Sequence, residues 1–262
     1  MENIVVSVAM ATYNGGKYLR EQLDSIYGQT HKKLEVIVCD DRSVDNTASI
    51  LEEYNQKHGL VYQINDTNLK VVKNFEKAIL KCTSQYIALS DQDDVWLPDK
   101  IEKSLKKIQE LEARFGTDVP LLVFSDLTIV DDNLNTLHAS LWKHQKLAPE
   151  NAVLNRLLVE NVITGCTILM NQALARLAFP GPKEIIMHDV WLGLVSSCFG
   201  HISFVAEPTI LYRQHSNNTI GVKKSSIWNR FGKFLGEINQ ADKYFFANEI
   251  KQAQAFIEKF FR

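Results

Sequence analysis

Four consecutive residues, Asp91-Gln92-Asp93-Asp94, hold three carboxylates. Like charges packed that closely repel, and a fold keeps them together only where something positive offsets the cost. A hard divalent ion, Mg²⁺ or Mn²⁺, is suited to this, because it takes one or two carboxylates together with phosphate oxygens. Such an ion would bridge a diphosphate and stabilise the negative charge that grows on it as it leaves. The same tetrapeptide also reads as a solvated acidic turn ahead of the helix that Pro98 opens.

Two more polar clusters precede it. Thr12-Tyr13-Asn14-Gly15-Gly16 offers a backbone that a ligand can approach closely and an aromatic ring that can stack on a base. Asp40-Asp41-Arg42-Ser43 offers a carboxylate that can accept from a pyrimidine N–H, with Arg42 as a positive partner. Each has a plain alternative, a simple turn for the first and a helix cap with a local ion pair for the second. Three such clusters on one sheet edge are hard to explain as independent accidents.

The elements around them put all three on that edge. Ile4–Ala11, Leu34–Cys39, Leu60–Ile64 and Tyr86–Leu89 read as short, β-branched strands. Between them, apolar residues at helical spacing predict helices from Tyr18 to about Gly28, from Asp45 to His58-Gly59 and from Val71 to Cys82. A long charged helix runs from Pro98 to Phe115. Strand and helix alternating at this spacing require crossover connections, hence an α/β fold with a mostly parallel sheet. Open sheets of this kind bind ligands at the carboxyl ends of their strands, where the three clusters fall.

The second half is less regular. Leu121–Val130 and Val162–Met170 read as strands, with a short helix at Asn151–Val159 between them. A helix is expected at Asp189–Cys198, short strands at Ile202–Val205 and Thr209–Tyr212, and helix from Ser225 onward. The change of pattern near residue 120 suggests two halves of one domain, 1–120 for a nucleotide and 121–222 for an acceptor, followed by a helical extension at 223–262.

Bulk properties narrow the function. A chain of 262 residues with 45% hydrophobic residues can bury one large core. A net charge of −2 gives no whole-molecule attraction to nucleic acid, which is not expected as a partner. Cys39, Cys82, Cys166 and Cys198 are scattered and form no Cys-x-x-Cys pair, so a zinc site or disulfide framework is not expected. There is no basic leader, and no apolar run approaches the ~20 residues needed to span a bilayer. A cytoplasmic chain, peripheral at the inner face of the cell membrane if attached at all, is the expectation.

Taken together, Ala11-Thr-Tyr-Asn-Gly15, Asp40-Asp-Arg-Ser43 and Ser90-Asp-Gln-Asp-Asp-Val-Trp-Leu-Pro-Asp-Lys100 resemble glycosyltransferase family 2 over roughly residues 4–220. The Asp-Gln-Asp-Asp-Val-Trp form, with Asn74-Phe75-Glu76 upstream, looks most like the bacterial rhamnosyltransferase branch. The resemblance implies a GT-A fold and an inverting, metal-dependent enzyme that moves a sugar from a nucleotide-diphosphate donor. It implies that Thr12, Tyr13 and Asp41, with Asn14 and Arg42, hold the nucleoside, and that Asp91 and Gln92 face the ribose and sugar. Asp93 would bind the metal and Asp94 support the site. Lys70 stands where related sequences often have glycine.

An inverting enzyme needs a base opposite the departing diphosphate, and a carboxylate suits it. Family members place that acid ahead of a helix in the second half, often after Glu. Met187-His188-Asp189-Val190-Trp191 fits with His in the Glu position, so Asp189 is assigned as base, an N-cap role competing or coexisting. In Tyr212-Arg213-Gln214-His215, related enzymes imply Arg213 on the leaving phosphate and His215 on the metal, against a plain polar loop hinged at Gly221. Trp142 and His144 could border the acceptor, though packing is the commoner role.

The extension interleaves Lys223, Lys224, Arg230 and Lys233 with Ile227, Trp228, Phe231, Phe234 and Leu235, then adds Tyr244, Phe245, Phe246, Phe256, Phe260 and Phe261. Such a face can lie on an anionic membrane, pack on the domain, or join a second copy of the chain. The expected donor is dTDP-rhamnose, with UDP-hexoses close behind, and the acceptor a glycan or a lipid-linked one in cell-surface glycan synthesis. A nucleotidyltransferase would carry an arginine in its first Gly-rich loop, which Ala11–Gly16 lacks. A non-catalytic scaffold would have lost the metal acid or the base.

Overall fold

In the computed structural model, which describes residues 4–215 and 240–261 (side chains of the last helix from 248), every other residue of the central strands turns to a different core. The strands are β1 (Val6–Thr12), β2 (Leu34–Asp40), β3 (Val61–Ile64) and β4 (Tyr86–Ser90) in the first half. Val6, Val8 and Met10 of β1 face one side with Val36, Val38, Tyr86 and Ala88, while Ala9 faces the other with Ile37, Ile87 and Leu89. Both faces are covered, so these strands read as continuous apolar runs.

Helices α1 (Leu19–Tyr27), α2 (Thr47–His58) and α4 (Lys100–Phe115) cover the first face. Helix α3 (Lys70–Lys81) covers the second, together with α7 (Gln172–Ala178), α8 (His188–Phe199) and α9 (Gln240–Phe260). The sheet continues through β5 (Val95–Trp96), β6 (Leu121–Val130), β7 (Thr136–His138), β8 (Leu169–Asn171) and β9 (His201–Arg213). Its order is β3-β2-β1-β4-β8-β6-β9-β5, with β7 paired to β6.

The four strands of the first half pair in parallel, as the crossover pattern requires. The rest of the sheet is mixed, in keeping with the less regular pattern of the second half. β8 runs antiparallel to both β4 and β6, while β6 and β9 are parallel. The expected strand at 162–170 shrinks to β8. Ahead of it, Asn161 bonds back to Ile163, and Thr167 bonds to the Thr164 carbonyl within a 3₁₀ turn, Gly165–Thr167. The expected helix at 151–159 is a 3₁₀ turn at Pro149–Asn151 and one α turn, α6 (Leu154–Leu157). The two expected short strands near 202–212 are one strand, β9. Its register against β6 slips where Pro208, with no N–H to give, faces Asp126.

Of the C-terminal extension, residues 216–239 lie outside the described residues, and with them Gly221, Lys223, Lys224, Ile227, Trp228, Arg230, Phe231, Lys233, Phe234 and Leu235. So do the side chains of Tyr244, Phe245 and Phe246. From 248 on, α9 packs on its own domain. Phe256 meets the Trp191 ring edge-on at 5.4 Å, and Phe260 stacks on it at 6.0 Å. Gln252 accepts from the Ile186 N–H, and Lys259 donates to the Ala178 and Pro180 carbonyls. This part of the extension is therefore a strut behind α8, with Phe256 buried and Phe260 half-buried against Trp191. Trp142, on the short helix α5 (Leu141–Gln145), is buried against Phe124 and Phe204, so it packs rather than lines an opening. Among the described residues, no helix is long and apolar enough to cross a membrane.

Candidate active site

Because β1, β2 and β4 are parallel neighbours, their carboxyl ends bring the three polar clusters to one edge. Short polar bonds lock the clusters to one another. Thr12 Oγ1 donates to Asp40 Oδ2 at 2.8 Å, and Asp40 also accepts from the Ser43 N–H and hydroxyl. The Asn14 N–H donates to Ser43, and the Asn14 carboxamide oxygen accepts from the Val44 N–H. Asp45, just ahead of α2, takes the N–H groups of both Thr47 and Gly16.

The glycines are needed for closeness. A methyl on Gly15 would lie 2.3 Å from Gln92 Oε1, and one on Gly16 would lie 1.8 Å from Asn46 Oδ1. Gln92 uses its whole amide on the first loop, accepting from the Tyr13 N–H at 2.8 Å and donating to the Tyr13 carbonyl at 3.1 Å. It therefore ties the loop after β1 to the loop after β4, and would reach a sugar only through what it positions. The Tyr13 side chain is 51% exposed at the rim, where a base can stack on it. Arg42 is exposed beside it, with φ of 66°.

Asp41 departs from the expected role. Its carboxylate is buried and accepts from the N–H groups of Leu69 at 2.6 Å and Lys70 at 2.9 Å, and from the Asn65 amide at 3.0 Å. It organises the start of α3, leaving one oxygen with a spare lone pair for a nucleoside. Thr12 is buried too, so its hydroxyl shapes the floor of the site instead of standing in it.

The acid loop 91–94 sits at the centre. Burial first, and then the charges of Asp93 and Asp189, push the Asp91 carboxyl up to about 7. Burial also raises Asp93, opposed by His215 and Arg213. His215 Nε2 lies 2.9 Å from Asp93 Oδ2, so the structure joins the two residues expected to hold a metal. The His215 ring stacks on Tyr18 at 4.8 Å, which fixes its plane. Asp94 is wholly buried and raised well above the usual carboxylate range by burial and by its two acidic neighbours.

Arg213 corrects a second expectation. Its side chain is 1% exposed. Its guanidinium donates to the Asp93 carbonyl at 3.0 Å, to the Asp132 carbonyl and to Glu21, and lies over the Tyr18 ring at 4.5 Å. Its own N–H donates to Asp94. With its donors so committed, Arg213 braces the acid loop and does not reach out to a leaving phosphate. Glu21, Tyr18 and Asp132, which carry no sequence motif, are its partners.

A divalent ion fits this chemistry. Carboxylate oxygens and an imidazole nitrogen suit Mn²⁺ or Mg²⁺, and a buried acid cluster with raised proton affinity is short of positive charge. Asp91, Asp94 and Cys166 also bring one ligand atom each within 4.8 Å of one another. That trio is the poorer seat, because the ammonium of Lys100 acts on both Asp94 and Cys166 and would repel a cation there. Asp93 and His215, 2.9 Å apart, are the pair expected to hold the ion.

Asp189 stands in the first turn of α8, where Met187 is the N-cap and Asp189 Oδ1 accepts from the Val190 N–H at 2.7 Å. Burial raises its carboxyl to about 6, opposed by the N–H groups of Val190, Asp189 and Gly165 and by the Asn161 amide. It is close enough to Asp91 to raise that group through space. His188 is buried and stacks on Phe75 at 4.0 Å, and burial pushes it down to about 3, so it is neutral at pH 7. It places no second charge next to Asp189. Gly165 allows this packing, since a methyl there would lie 2.5 Å from His188 Nε2.

Comparison with known proteins adds to the geometry. The family model described as "Glycosyl transferase family 2" matches residues 7–176. Over 231 residues the chain is 28% identical to the dTDP-rhamnosyl transferase RfbG of Shigella flexneri, covering 82% of this chain and 75% of that protein. It is 28% identical over 233 residues to an uncharacterized glycosyltransferase of Haemophilus influenzae, covering 85% and 69%. Among solved structures, S. aureus TarS 1–349 in complex with UDP-GlcNAc superposes with a TM-score of 0.64 at 17% identity, covering 97% of this chain and 73% of that one. The mannosyltransferase PcManGT of Pyrobaculum calidifontis, in complex with GDP-Man and Mn²⁺, gives 0.63 at 16%, covering 83% and 59%. These likenesses identify the GT-A fold.

Proposed function

The chain belongs to glycosyltransferase family 2, and from that premise we propose a metal-dependent, inverting transfer of one sugar from a nucleotide-diphosphate donor to a glycan or lipid-linked acceptor. The observation that carries this reading is the approach of two carboxylate centres, one in the loop after β4 and one in the first turn of α8. Asp93, beside His215, is the anchor for the donor's metal, and Asp189, acting through space on Asp91, is the base.

The roles follow from chemistry. Tyr13 stacks on the base, Asn14 and Arg42 form the nucleoside wall, Thr12 shapes its floor, and Asp41 offers its one spare lone pair from behind. Asp93 and His215 would hold Mn²⁺ or Mg²⁺, which when bound would offset charge on the diphosphate. The acceptor hydroxyl attacks the anomeric carbon from the face opposite the diphosphate. Its proton passes to Asp189, and the bond from the anomeric carbon to the phosphate oxygen breaks with its electron pair leaving on the nucleotide. One bond forms as one breaks at that carbon, so the configuration inverts. Gln92 keeps the donor loop closed by holding Tyr13, and Arg213 keeps the acid loop rigid.

The likeness to RfbG supports dTDP-rhamnose as the donor, and synthesis of a bacterial surface glycan is the proposed setting. UDP-hexoses are the competing donors, and the fold alone does not choose between them. A melting-temperature screen against dTDP- and UDP-sugars, with and without Mn²⁺, tests the reading. A metal-dependent rise with one nucleotide is the expected result, and Asp93→Ala abolishes it. A wild-type chain indifferent to every nucleotide and metal would overturn the transferase reading in favour of a scaffold.

A further inference from the structure

We infer that Asn65 is a positioning residue for nucleobase recognition: buried behind Asp41 and held by Asn74 and Lys77, it fixes which carboxylate oxygen meets the donor's base. The inference rests on the reading of Asp41 as a nucleoside contact and deepens it.

Asn65, just after β3, is 3% exposed, and Asn74, on α3, is 2% exposed. A buried primary amide has two N–H groups and one carbonyl oxygen to satisfy, and each one left unpaired costs free energy. Asn65 satisfies all three. Its Nδ2 donates to Asp41 Oδ1 at 3.0 Å and to Asn74 Oδ1 at 2.8 Å, and its Oδ1 accepts from Lys77 Nζ at 2.7 Å. Its backbone N–H donates to the Asp40 carbonyl at 2.8 Å, which seats the residue beside the end of β2. Turning the amide over would set its oxygen against a carboxylate and a second amide oxygen, and its N–H groups against an ammonium. Only one orientation is therefore satisfied.

Asn74 extends the hold to the strands. Its Nδ2 donates to the Cys39 carbonyl at 2.8 Å and lies 3.5 Å from the Thr12 carbonyl. Those two carbonyls stand two residues ahead of Asp41 and one ahead of Tyr13. The two amides thus tie α3 to the backbone that carries both the carboxylate and the stacking ring.

The effect on Asp41 is to make its two oxygens unequal. Oδ1 receives Asn65 and the Leu69 N–H, whereas Oδ2 receives the Lys70 N–H alone. With two lone pairs on each oxygen, Oδ1 is filled and Oδ2 keeps room for one more donor. Without Asn65, each oxygen would hold one backbone donor and one vacancy, and the carboxylate would no longer present a single direction. The N3–H of uracil or thymine can donate to that vacancy, whereas cytosine turns an N3 lone pair toward it.

The test compares UDP with CDP, which share ribose and diphosphate and differ only at N3 and the 4-substituent. Both are titrated calorimetrically into the full chain at constant Mn²⁺, as wild type, Asn65→Leu and Asn65→Ser. The wild type is expected to prefer UDP about tenfold or more, the scale of a hydrogen bond to a charged acceptor. Asn65→Leu, close in shape, should cut that preference to about threefold or less, since the bond loses its fixed direction. A smaller folded fraction would weaken both nucleotides by one factor, so the ratio reports positioning and not stability. Asn65→Ser gives the same reading if the leucine is not accommodated. A wild-type ratio in the folded variant, or failure of both variants to fold, would make Asn65 a structural residue and overturn the inference alone. A wild-type chain that binds UDP and CDP equally would overturn the Asp41 reading, and this inference with it.

Discussion

Asp189 gains or loses its proton near pH 6, and both rate and stability should register it. As a base it works only when ionised, so the transfer rate should climb about tenfold per pH unit below 6 and level off above. Stability runs the other way. The folded carboxyl, at about 6, holds its proton where the unfolded one, near the ordinary 3.8, has lost it. Between those values the folded state binds more protons, so this group's contribution to stability falls as pH rises and is level above 6. Asp189→Asn should abolish transfer, keep donor binding and flatten that part of the stability profile. Wild-type turnover in that variant would place the base elsewhere. At this scale the sequence was informative about residue types: Asp93 and His215 do meet, and Asp189 is buried near the acid loop. It was silent on how side chains are occupied. Asp41 and Arg213 have types that suit ligand contact, but the fold spends most of their bonds within the chain, on backbone groups and on the Asn65 and Glu21 side chains. Lys100 stood inside the motif with no sign that it is buried.

Two backbone positions set how well the elements present these residues. Lys70 opens α3 at φ 69°, a conformation that costs a residue with a Cβ roughly 1–2 kcal/mol and glycine little. This accounts for the glycine common in related sequences. Lys70→Gly should raise stability by up to about 1 kcal/mol, net of the entropy glycine loses on folding, read as a higher denaturant midpoint. The opposite sign would mean that the exposed lysine has a partner worth more than the strain. Gly165→Ala should do harm, because its methyl would press on His188 and displace the start of α8. The expected signature is a fall in transfer rate with donor affinity retained. The periodic first half was legible because each strand and helix buries its own repeat. At 151–170 the chain instead follows side-chain bonds from Asn161 and Thr167, which periodicity does not encode.

At the scale of the whole molecule, the C-terminal helix closes the second core. Phe256 and Phe260 against Trp191 show that, of the roles open on sequence alone, these aromatic residues take the one of packing on the domain. Phe256→Ala should cost about 3 kcal/mol by opening a cavity next to α8, seen as a lower melting temperature. Transfer should suffer more than donor binding, since α8 carries the base and the nucleotide wall lies on β1 and β2. Unchanged stability would mean that α9 leaves the domain in solution.

Arg213 touches Glu21 and Tyr18 near the beginning of the chain, the Asp93 carbonyl in the middle and Asp132 beyond it. A side chain that fastens both halves of the domain sets a rule for recombination between relatives. A chimera that joins the donor half of one transferase to the acceptor half of another, in search of a new specificity, must bring the partners of this arginine from a single parent. Crossovers that respect Glu21, Tyr18, Asp132 and Arg213 as one inherited unit should give folded hybrids, and crossovers that split them should not.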